Sequence, residues 1–254
     1  MSSEVSLGLR LTVPFWCSFR DPLSSNVHRT FPVPPPATLY GLVAAALGLV
    51  QDDYSRRSEM RFAVAIERSG ELVETYSKWM KAAENPKDDR QKEAFDNMRA
   101  LGLLAPDEAV WISTPIIRQK LIQPIFCVGI LCAPNVAEEL AAALERPALP
   151  LYLGESDDPV DIEVLGIERP LPSTGPATGT VGGVREGGVL ASLPTRFRRD
   201  SSGRWEVDKW LVSIPRPPQP IRAAGSACVS CHGHVWEFEP LPDSAARPVG
   251  NNHA

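Results

Sequence analysis

Apolar and polar residues alternate at the start of the chain. Positions 5, 7, 9, 11 and 13 are Val or Leu, with Ser, Gly, Arg and Thr between them. A side-chain period of two is typical of a β-strand with one buried face, so this segment predicts the first strand. Phe62, Val64 and Ile66 alternate in the same way and predict a second strand. The apolar run 121–132 predicts a third strand, in which Pro124 indicates an edge position or a bend.

Two other segments show the helical period. The apolar residues of 39–50 recur at spacings of three and four and form one face, which predicts a helix. Pro36 suits the first turn of this helix, and Thr38 is a candidate N-cap. A second helix is predicted over 135–146, where Asn135 and Glu138 form a cap-like pair.

The predicted elements follow the order strand, helix, strand, strand, helix, strand. Either 149–153 or 160–167 supplies the fourth strand. This is the split βαβ order of ferredoxin-like folds, which places both helices on one face of an antiparallel sheet. The fold class is therefore predicted as α+β and ferredoxin-like, the RRM-like scaffold that often hosts RNA recognition.

Composition shifts along the chain predict two regions. Residues 1–169 form the ferredoxin-like domain, and an insertion at 68–120 separates its second and third strands. A connection this long is usually functional, and its segment 84–104 is helix-prone. Residues 170–254 form a β-rich C-terminal region with a predicted hairpin, a flexible loop at 172–188 and a flexible tail.

Proline accounts for 25 of the 254 residues, and only Pro86 and Pro106 lie in 51–114. Because proline marks loops, strand edges and helix starts, this distribution predicts loop-rich ends around a regular middle. The net charge of −5 excludes the class of nucleic-acid-binding proteins that are strongly basic over the whole chain. It leaves room for a local basic face that meets nucleic acid.

No export signal is recognisable at the N-terminus, and the longest apolar run, 39–50, is shorter than the roughly 20 residues of a membrane-spanning helix. Five cysteines without an export signal are expected to be reduced thiols and not a disulfide framework. We therefore expect a cytoplasmic protein without a membrane partner.

Three segments carry cations in patterns that suit nucleic acid. Arginine contacts phosphate and aromatic rings stack on splayed bases, so these patterns predict RNA binding. Solvated arginines and ordinary loop packing are the alternative explanations for each segment. The candidates are Arg20, His28 and Arg29 in the first long loop, beside Trp16, Phe19 and Phe31; Tyr76, Lys78, Trp79 and Lys81 on the insertion; and Arg196, Arg198 and Arg199 within 185–222, a stretch with eight Lys/Arg and four Asp/Glu.

A cysteine cluster near the C-terminus suggests a different chemistry. The segment 228–232, Cys-Val-Ser-Cys-His, has the spacing of c-type haem attachment. We reject haem because its covalent attachment follows export. Cys228, Cys231 and His234 have a spacing that suits zinc, with His232 as a competing ligand. No second cysteine pair completes a tetrahedral site, so Cys17, Cys127 or Cys132 would have to come from a distant part of the chain. A loop with free thiols is the alternative, and no cofactor is predicted.

The entry to the first helix resembles a known family. Residues 34–41, Pro-Pro-Pro-Ala-Thr-Leu-Tyr-Gly, run into an Ala-rich segment that ends at Gly48. This resembles the N-terminal signature of the CRISPR-associated Cas-five family, a branch of the RAMP superfamily. Residues 151–155, Leu-Tyr-Leu-Gly-Glu, look like a later motif of that family, and 114–121 is similar to a further one. The resemblance covers residues 5–167.

The resemblance implies a fold and a role. Members have a ferredoxin-like domain with a smaller C-terminal β region, and they cap the 5′ handle of the CRISPR RNA in type I Cascade surveillance complexes. The insertion would be a thumb at the RNA backbone, which adds Arg118 and Lys120 to the RNA-binding candidates. Implied partners are the CRISPR RNA, the repeating backbone subunit, the large subunit and, indirectly, target DNA. The RAMP glycine-rich loop has only a rough counterpart at 179–188.

Two alternative functions stay open at this point. One subtype of the family is a metal-independent ribonuclease that matures the CRISPR RNA, and His28, Tyr76 and Lys78 are the residues that would supply its acid–base groups. Their spacing does not demand this role, so the sequence favours a non-catalytic RNA-binding subunit. The other alternative is a zinc-bound interaction module, built on the cysteine cluster, that does not bind RNA.

Overall fold

The structure is a computed structural model that describes residues 4–22, 24, 27–83, 89–103, 110–200, 202–223, 225 and 227–241, without the side chains of 79–83, 89, 91 and 110–114. Within these ranges the fold is mixed α+β, and none of the helices is long and apolar enough to cross a membrane. The helices are α1 (Pro36–Ala46), a 3₁₀-helix (Arg57–Glu59), α2 (Asp89–Ala100) and α3 (Pro134–Glu145). The strands are β1 (Val5–Thr12), β2 (Trp16–Cys17), β3 (Val27–His28), β4 (Met60–Arg68), β5 (Glu71–Ala83), β6 (Val110–Ile122), β7 (Ile125–Cys132), β8 (Asp161–Glu168), β9 (Leu171–Pro172), β10 (Val181–Gly182), β11 (Val189–Arg199), β12 (Trp205–Ile214), β13 (Val229–Cys231) and β14 (His234–Trp236).

A four-stranded antiparallel sheet in the order β4-β7-β1-β8 forms the centre of the fold. β7 pairs with β4 and β1, and β1 pairs with β7 and β8, so β7 and β1 are the inner strands. The chain passes through sheet and helices in the order β1, α1, β4, β7, α3, β8, which is the succession that the sequence pattern predicts. The fourth strand is 161–168, so of the two predicted alternatives the later one is correct.

One face of the sheet packs against α1 and α3, the two helices that the sequence predicts. Leu7, Leu9 and Leu11, the alternating apolar residues of β1, share a buried core with Leu42 of α1 and Leu140 of α3. The apolar face of such a sheet must be buried against another apolar surface, which the two helices supply. Burial of each leucine side chain contributes about 1.5–3 kcal/mol to the stability of the fold.

The opposite face of the sheet is built from small residues. Gly8 pairs with Gly129, and Gly129 pairs with Ala63. A Cβ on Gly129 would lie 2.7 Å from the ring of Trp236, and a Cβ on Gly8 would lie 2.4 Å from Nδ1 of His232. These two glycines therefore allow the C-terminal strands β13 and β14 to lie directly against the sheet.

Both predicted helix caps are wrong. The N-cap of α1 is Pro35 and that of α3 is Ala133, neither with a side-chain cap, so Thr38 and Asn135 lie inside their helices. Each helix begins at a proline, Pro36 or Pro134. Proline lacks the N–H that would be unsatisfied in the first turn and has φ fixed near the helical value, so the helix starts there without a polar cap.

The apolar run 121–132 belongs to two strands. β6 ends at Ile122 and β7 begins at Ile125, with Gln123 at a φ of +49° between them. β7 is an inner strand, so the single strand and the edge position are wrong, whereas the bend predicted at Pro124 is present. Pro124 stands at the turn, where its missing N–H removes no ladder hydrogen bond.

The insertion between β4 and β7 is a long two-stranded ribbon. β5 and β6 pair antiparallel over all of their residues, from Glu71 opposite Ile122 to Ala83 opposite Val110. At about 3.3 Å a residue, such a ribbon extends roughly 40 Å. α2 lies in the connection at its far end, inside the segment that the sequence predicts to be helix-prone.

Beyond β8 the chain forms two smaller sheets. β11 and β12 make the predicted hairpin, to which β10 adds a strand, while β13 pairs with β14 and β9. The segment 172–188 is not the flexible loop that its composition predicts, since Ala177, Thr180 and Val181 are buried. The N–H of Thr180 donates to Val64 O at 2.8 Å, so the small residues serve close packing on β4. The predicted flexible tail beyond 241 lies outside the described residues.

A fully buried ion pair fastens the C-terminal residues to the core. Arg57 Nη2 donates to both carboxylate oxygens of Glu239, at 2.6 and 2.7 Å. Its other nitrogens donate to Thr195 O of β11 and Met60 O of β4, and the N–H of Phe62 donates to Glu239. Burial raises the pKa of the Glu239 carboxyl and the Arg57 charge opposes that shift. One guanidinium thus joins three separate stretches of chain.

We predict that Arg57→Ala or Glu239→Ala alone lowers the free energy of unfolding by about 3–5 kcal/mol, because each leaves a buried charge without its partner. The double variant Arg57→Met/Glu239→Leu removes both charges and is expected to recover most of the loss. Urea unfolding of the two single variants and the double variant measures the coupling.

The matched control is Arg198→Ala, which removes an exposed ion pair with Asp208. Its cost is expected to stay below about 1 kcal/mol. Single substitutions in the buried pair that cost no more than this control would contradict the assigned role.

Candidate nucleic-acid interface

The first long loop folds against the base of the ribbon. β2 pairs antiparallel with β6, Trp16 opposite Ile122, and β3 pairs parallel with β6, His28 opposite Arg118. Between β2 and β3 the loop closes on itself, since Asp21 N donates to Arg29 O at 2.8 Å and Phe31 N donates to Phe19 O at 2.9 Å. The described residues of the predicted connection are therefore ordered and add two short strands to the ribbon.

Strand pairing sorts the candidate residues onto two faces. Directly opposed residues share a face and successive residues alternate. One face consequently carries Trp16, His28, Arg118 and Lys120. The other carries Tyr76, Lys78 and Ile117.

The cations of the first face are held by specific partners. Lys120 is only 8% exposed, and its Nζ lies 4.4 Å from the centroid of the Trp16 ring. Arg118 forms an ion pair with Glu155. Burial, together with the charges of Arg20 and Arg118, lowers the pKa of His28, so its imidazole is neutral at physiological pH. Held side chains lose less entropy when they bind a ligand.

We call the base of the ribbon, where β2 and β3 pair with β6, its root. Two more of the predicted cations lie in the loop beside it. Arg20 and Arg29 are both exposed, and the backbone of Arg20 forms an isolated antiparallel β-bridge with that of Thr30 across the loop. Together with Arg118 and Lys120 they give the root of the ribbon four cations. Of the three aromatic rings predicted beside them, Trp16 is partly exposed, whereas Phe19 is buried against Phe126 and Phe31 packs on the core. Phe19 and Phe31 therefore contribute packing and not a stacking surface.

The segment 151–158 packs against the residues next to β2 and holds this site in place. The buried carboxylate of Asp158 accepts hydrogen bonds from Ser18 N at 2.9 Å and Glu155 N at 3.1 Å. Gly154 has a φ of +116°, and a Cβ there would lie 2.5 Å from Ser18 O. The Gly-Glu pair of the later sequence motif thus serves two needs, close approach to β2 and an ion pair with Arg118.

The second face of the ribbon is mixed, since Glu74, Lys78 and Gln119 share it with apolar residues. Tyr76 is 69% exposed, and Leu72 and Ile117 lie beside it on the same face. A cleft of about 430 Å³ opens at its base, lined by Thr30, Leu72, Leu121, Val189 and Arg216, among others. Lys78 lies further along the ribbon, opposite Pro115. The side chains of Trp79 and Lys81 lie outside the described residues.

The three arginines of the C-terminal hairpin are not part of this site. The β11 residue that borders the cleft is Val189, whereas Arg198 and Arg199 lie at the opposite end of the strand, roughly 30 Å away. Arg198 pairs with Asp208 at 2.8 Å and the Arg199 guanidinium lies 4.7 Å from the Trp205 centroid. Arg196 stands opposite Asp208 in the ladder. These contacts are of the same kind as those of Arg118 and Lys120, so it is the distance along β11 that sets the three arginines apart from this site.

The structure separates the predicted zinc ligands. Cys228 is buried with Ala177 and Ile221, whereas Cys231 is buried in another cluster, where its Sγ accepts from Trp236 Nε1 at 3.2 Å. Burial raises the pKa of both thiols. Within the described residues, Cys228, Cys231 and His234 do not form a metal-binding group.

The sequence reasoning missed the residues that hold the site together. These residues are Ser18, Asp158 and Gln119. The hydroxyl of Ser18 donates to Gln119 O at 2.9 Å. Ser18 and Asp158 are 140 positions apart, and no periodicity connects positions so distant. A family motif that ends at Glu155, three residues before Asp158, was the only available signal.

The model of a CRISPR-associated protein family (Cas_Cas5) matches residues 6–198. The chain is also similar to one in a structure of a CRISPR RNA-guided surveillance complex, at 19% identity over 86% of this chain and 90% of that chain, with a TM-score of 0.53. A crystal structure of a Cas protein is 20% identical over 84% of this chain and 100% of that chain, with a TM-score of 0.43. No curated protein matches significantly. At such identity the surveillance-complex similarity shows the fold alone.

We predict a specific pH dependence from Asp158. Burial raises the pKa of its carboxyl to about 6, above the unfolded value of about 3.9. The folded protein therefore binds this proton more tightly. The resulting stabilisation is complete below about pH 4 and is lost as the pH rises through about 6. The unfolding free energy of the wild type, minus that of Asp158→Asn, is expected to fall by about 1–3 kcal/mol over this range.

Urea unfolding at several pH values checks this, with an exposed aspartate of β8 changed in Asp161→Asn as the control. A difference between wild type and Asp158→Asn that does not vary with pH would show that the carboxyl titrates normally.

Proposed function

The chain belongs to the CRISPR-associated Cas5 family, and we propose that it is an RNA-binding subunit of a CRISPR surveillance complex. More narrowly, we propose a type I Cascade complex, in which the chain holds the 5′ handle of the CRISPR RNA. The observation that carries this proposal is the root of the ribbon, where Lys120 lies against Trp16 and Arg118 stands opposite His28. The exposed Arg20 and Arg29 lie in the adjoining loop.

We also propose the finer fold assignment. The strand order β4-β7-β1-β8, combined with the succession β1, α1, β4, β7, α3, β8, corresponds to the split βαβ plan of a ferredoxin-like (RRM-like) domain. Residues 1–169 would be this RAMP domain, with the thumb at 68–120, and 170–254 the C-terminal region.

The two faces of the ribbon suit two parts of an RNA strand. The cationic face offers partners for phosphate oxygens, with Lys120 and Arg118 already held in place. The exposed ring of Tyr76 and the cleft at its base offer a stacking surface for a base turned out of the strand. A ribbon roughly 40 Å long can therefore contact a bent backbone on one face and a splayed base on the other.

The position of the cations at the root also bears on where the partner subunits would bind. We propose that the repeating backbone subunit and the large subunit contact surfaces away from the root, and that target DNA is met only through them. A net charge of −5 is compatible with this role when the cations are concentrated at one site and much of the remaining surface faces protein.

Binding without cleavage is favoured by the position of His28. An RNA-cleaving site would need a general base and a charge-stabilising group around one ribose hydroxyl. His28 lies on the cationic face and is 3% exposed, whereas Tyr76 and Lys78 lie on the opposite face. These three side chains cannot converge on one hydroxyl, so we propose no catalytic residue.

We predict that Arg20→Ala/Arg29→Ala weakens binding to single-stranded CRISPR-repeat RNA and flattens its salt dependence. Each lost phosphate contact is expected to reduce the slope of log K against log salt by about 0.7. Fluorescence anisotropy titrations across a salt series measure both effects.

The control for this experiment is Arg146→Ala, which changes an exposed arginine at the end of α3. It alters the net charge without touching the root, so its slope is expected to match the wild type. Equal slopes in the control and the double variant would overturn the proposed RNA site.

We further predict that the purified protein leaves repeat RNA intact in the presence of a chelator. The reason is the separation of His28 from Tyr76 and Lys78. Gel analysis of end-labelled RNA checks this, and the alternative of a metal-independent ribonuclease gains support only if cleavage appears and His28→Ala abolishes it.

A further inference from the structure

Three metal-ligating side chains from distant parts of the chain meet on the small-residue face of the sheet. They are Glu67 of β4, Cys127 of β7 and His234 of β14, and their ligand atoms all lie within 4.8 Å of one another. Cys127 is fully buried and the other two are half-buried. The sequence pattern grouped His234 with Cys228 and Cys231, whereas the fold brings it to Cys127.

Backbone pairing explains the meeting. Cys127 stands opposite both Arg10 and Ala65, so it shares their face of the sheet. Glu67 follows Ala65 by two positions, at an irregularity in the pairing of β4 with β7. Such bulges redirect side chains and are frequent next to functional sites. β14 then crosses this face and adds His234.

The hydrogen bonding of His234 suits a metal ligand. Its Nδ1 lies 3.2 Å from Thr178 Oγ1, which also accepts from Val235 N. When Nδ1 carries the proton and donates it to Thr178, Nε2 has a free lone pair, which is the arrangement in which histidines bind metals. Stacking on Trp236 at 5.4 Å fixes the plane of the ring.

Charge at the cluster is also suitable. Arg10 Nη2 lies 2.7 Å from Glu67 Oε2, so one carboxylate oxygen is held by a cation and the other can face an ion. Outer-shell contacts of this kind orient ligating carboxylates. A thiolate and a carboxylate together would balance the two charges of a divalent ion.

We propose that Glu67, Cys127 and His234 bind a divalent transition-metal ion, with Zn²⁺ the best match. Sulfur, imidazole nitrogen and one carboxylate oxygen suit zinc and disfavour magnesium or calcium, which prefer oxygen ligands. Three protein ligands leave a fourth tetrahedral position for water. The ion would join β4, β7 and β14 and so clasp the C-terminal strands to the sheet.

Metal binding must release a proton. Zinc binds cysteine as the thiolate, whereas a free cysteine near neutral pH carries its proton on sulfur. Forming the Zn–S bond breaks the S–H bond and sends that proton to solvent. Affinity should therefore rise with pH.

The test is a competition titration of the full chain with Zn²⁺ against a chromophoric chelator. We expect one equivalent of zinc, an affinity that rises with pH, and no displacement by excess Mg²⁺. Cys127→Ser and His234→Gln should each weaken binding by more than about 100-fold, since loss of an outer-shell partner alone costs 10–100-fold. Thermal unfolding without metal verifies that both variants fold; His234→Gln, at a half-buried position, carries the test if Cys127→Ser does not fold.

The matched control is Cys228→Ser, a buried cysteine of the same C-terminal region outside the cluster. It should bind zinc like the wild type. Three results would overturn the proposal: no stoichiometric zinc, binding that survives both ligand substitutions, or binding that is lost in Cys228→Ser but kept in Cys127→Ser. The last result would place the ion on the set that the sequence spacing suggested.

Discussion

The central sheet must be covered on both faces, and the rest of the structure depends on this constraint. α1 and α3 cover one face through their apolar residues. The other face is covered by β13, β14 and the residues after them, which come from the end of the chain. Gly8 and Gly129 leave room for His232 and Trp236, and the buried pair Arg57–Glu239 fastens the covering segment after it has crossed the sheet.

The ribbon depends on the same sheet. β6 ends in the turn at Gln123 and Pro124, and the chain continues directly into the inner strand β7. The root of the ribbon is therefore anchored in the core, while its far end extends beyond it. The hydrogen bonds from Ser18 and Glu155 to Asp158 hold the first loop and the segment 151–158 at this root. A cationic site built on such fixed partners is suited to binding a charged strand without rearrangement.

How far the sequence predicts the structure depends on the range of the interaction involved. The strands at 5–12 and 60–68 and the helix that starts at Pro36 follow from local periodicity and from the missing N–H of proline, and they are present. The caps at Thr38 and Asn135 were wrong because a proline at the first turn competes with a polar cap. The prediction of a flexible loop at 172–188 was wrong because glycine and threonine are common both in free loops and in close-packed ones. Only the neighbouring β4 distinguishes the two.

The sequence by itself determined the succession of elements, the long insertion, the cation-rich first loop and the family resemblance. Each of these is a property of neighbouring residues. The tertiary structure decided which cations share a face, that Arg196, Arg198 and Arg199 lie far from the root, and that His234 meets Cys127 and not Cys228. Strand register and sheet order fix those choices, because they bring together residues more than 100 positions apart, and no local pattern carries that information.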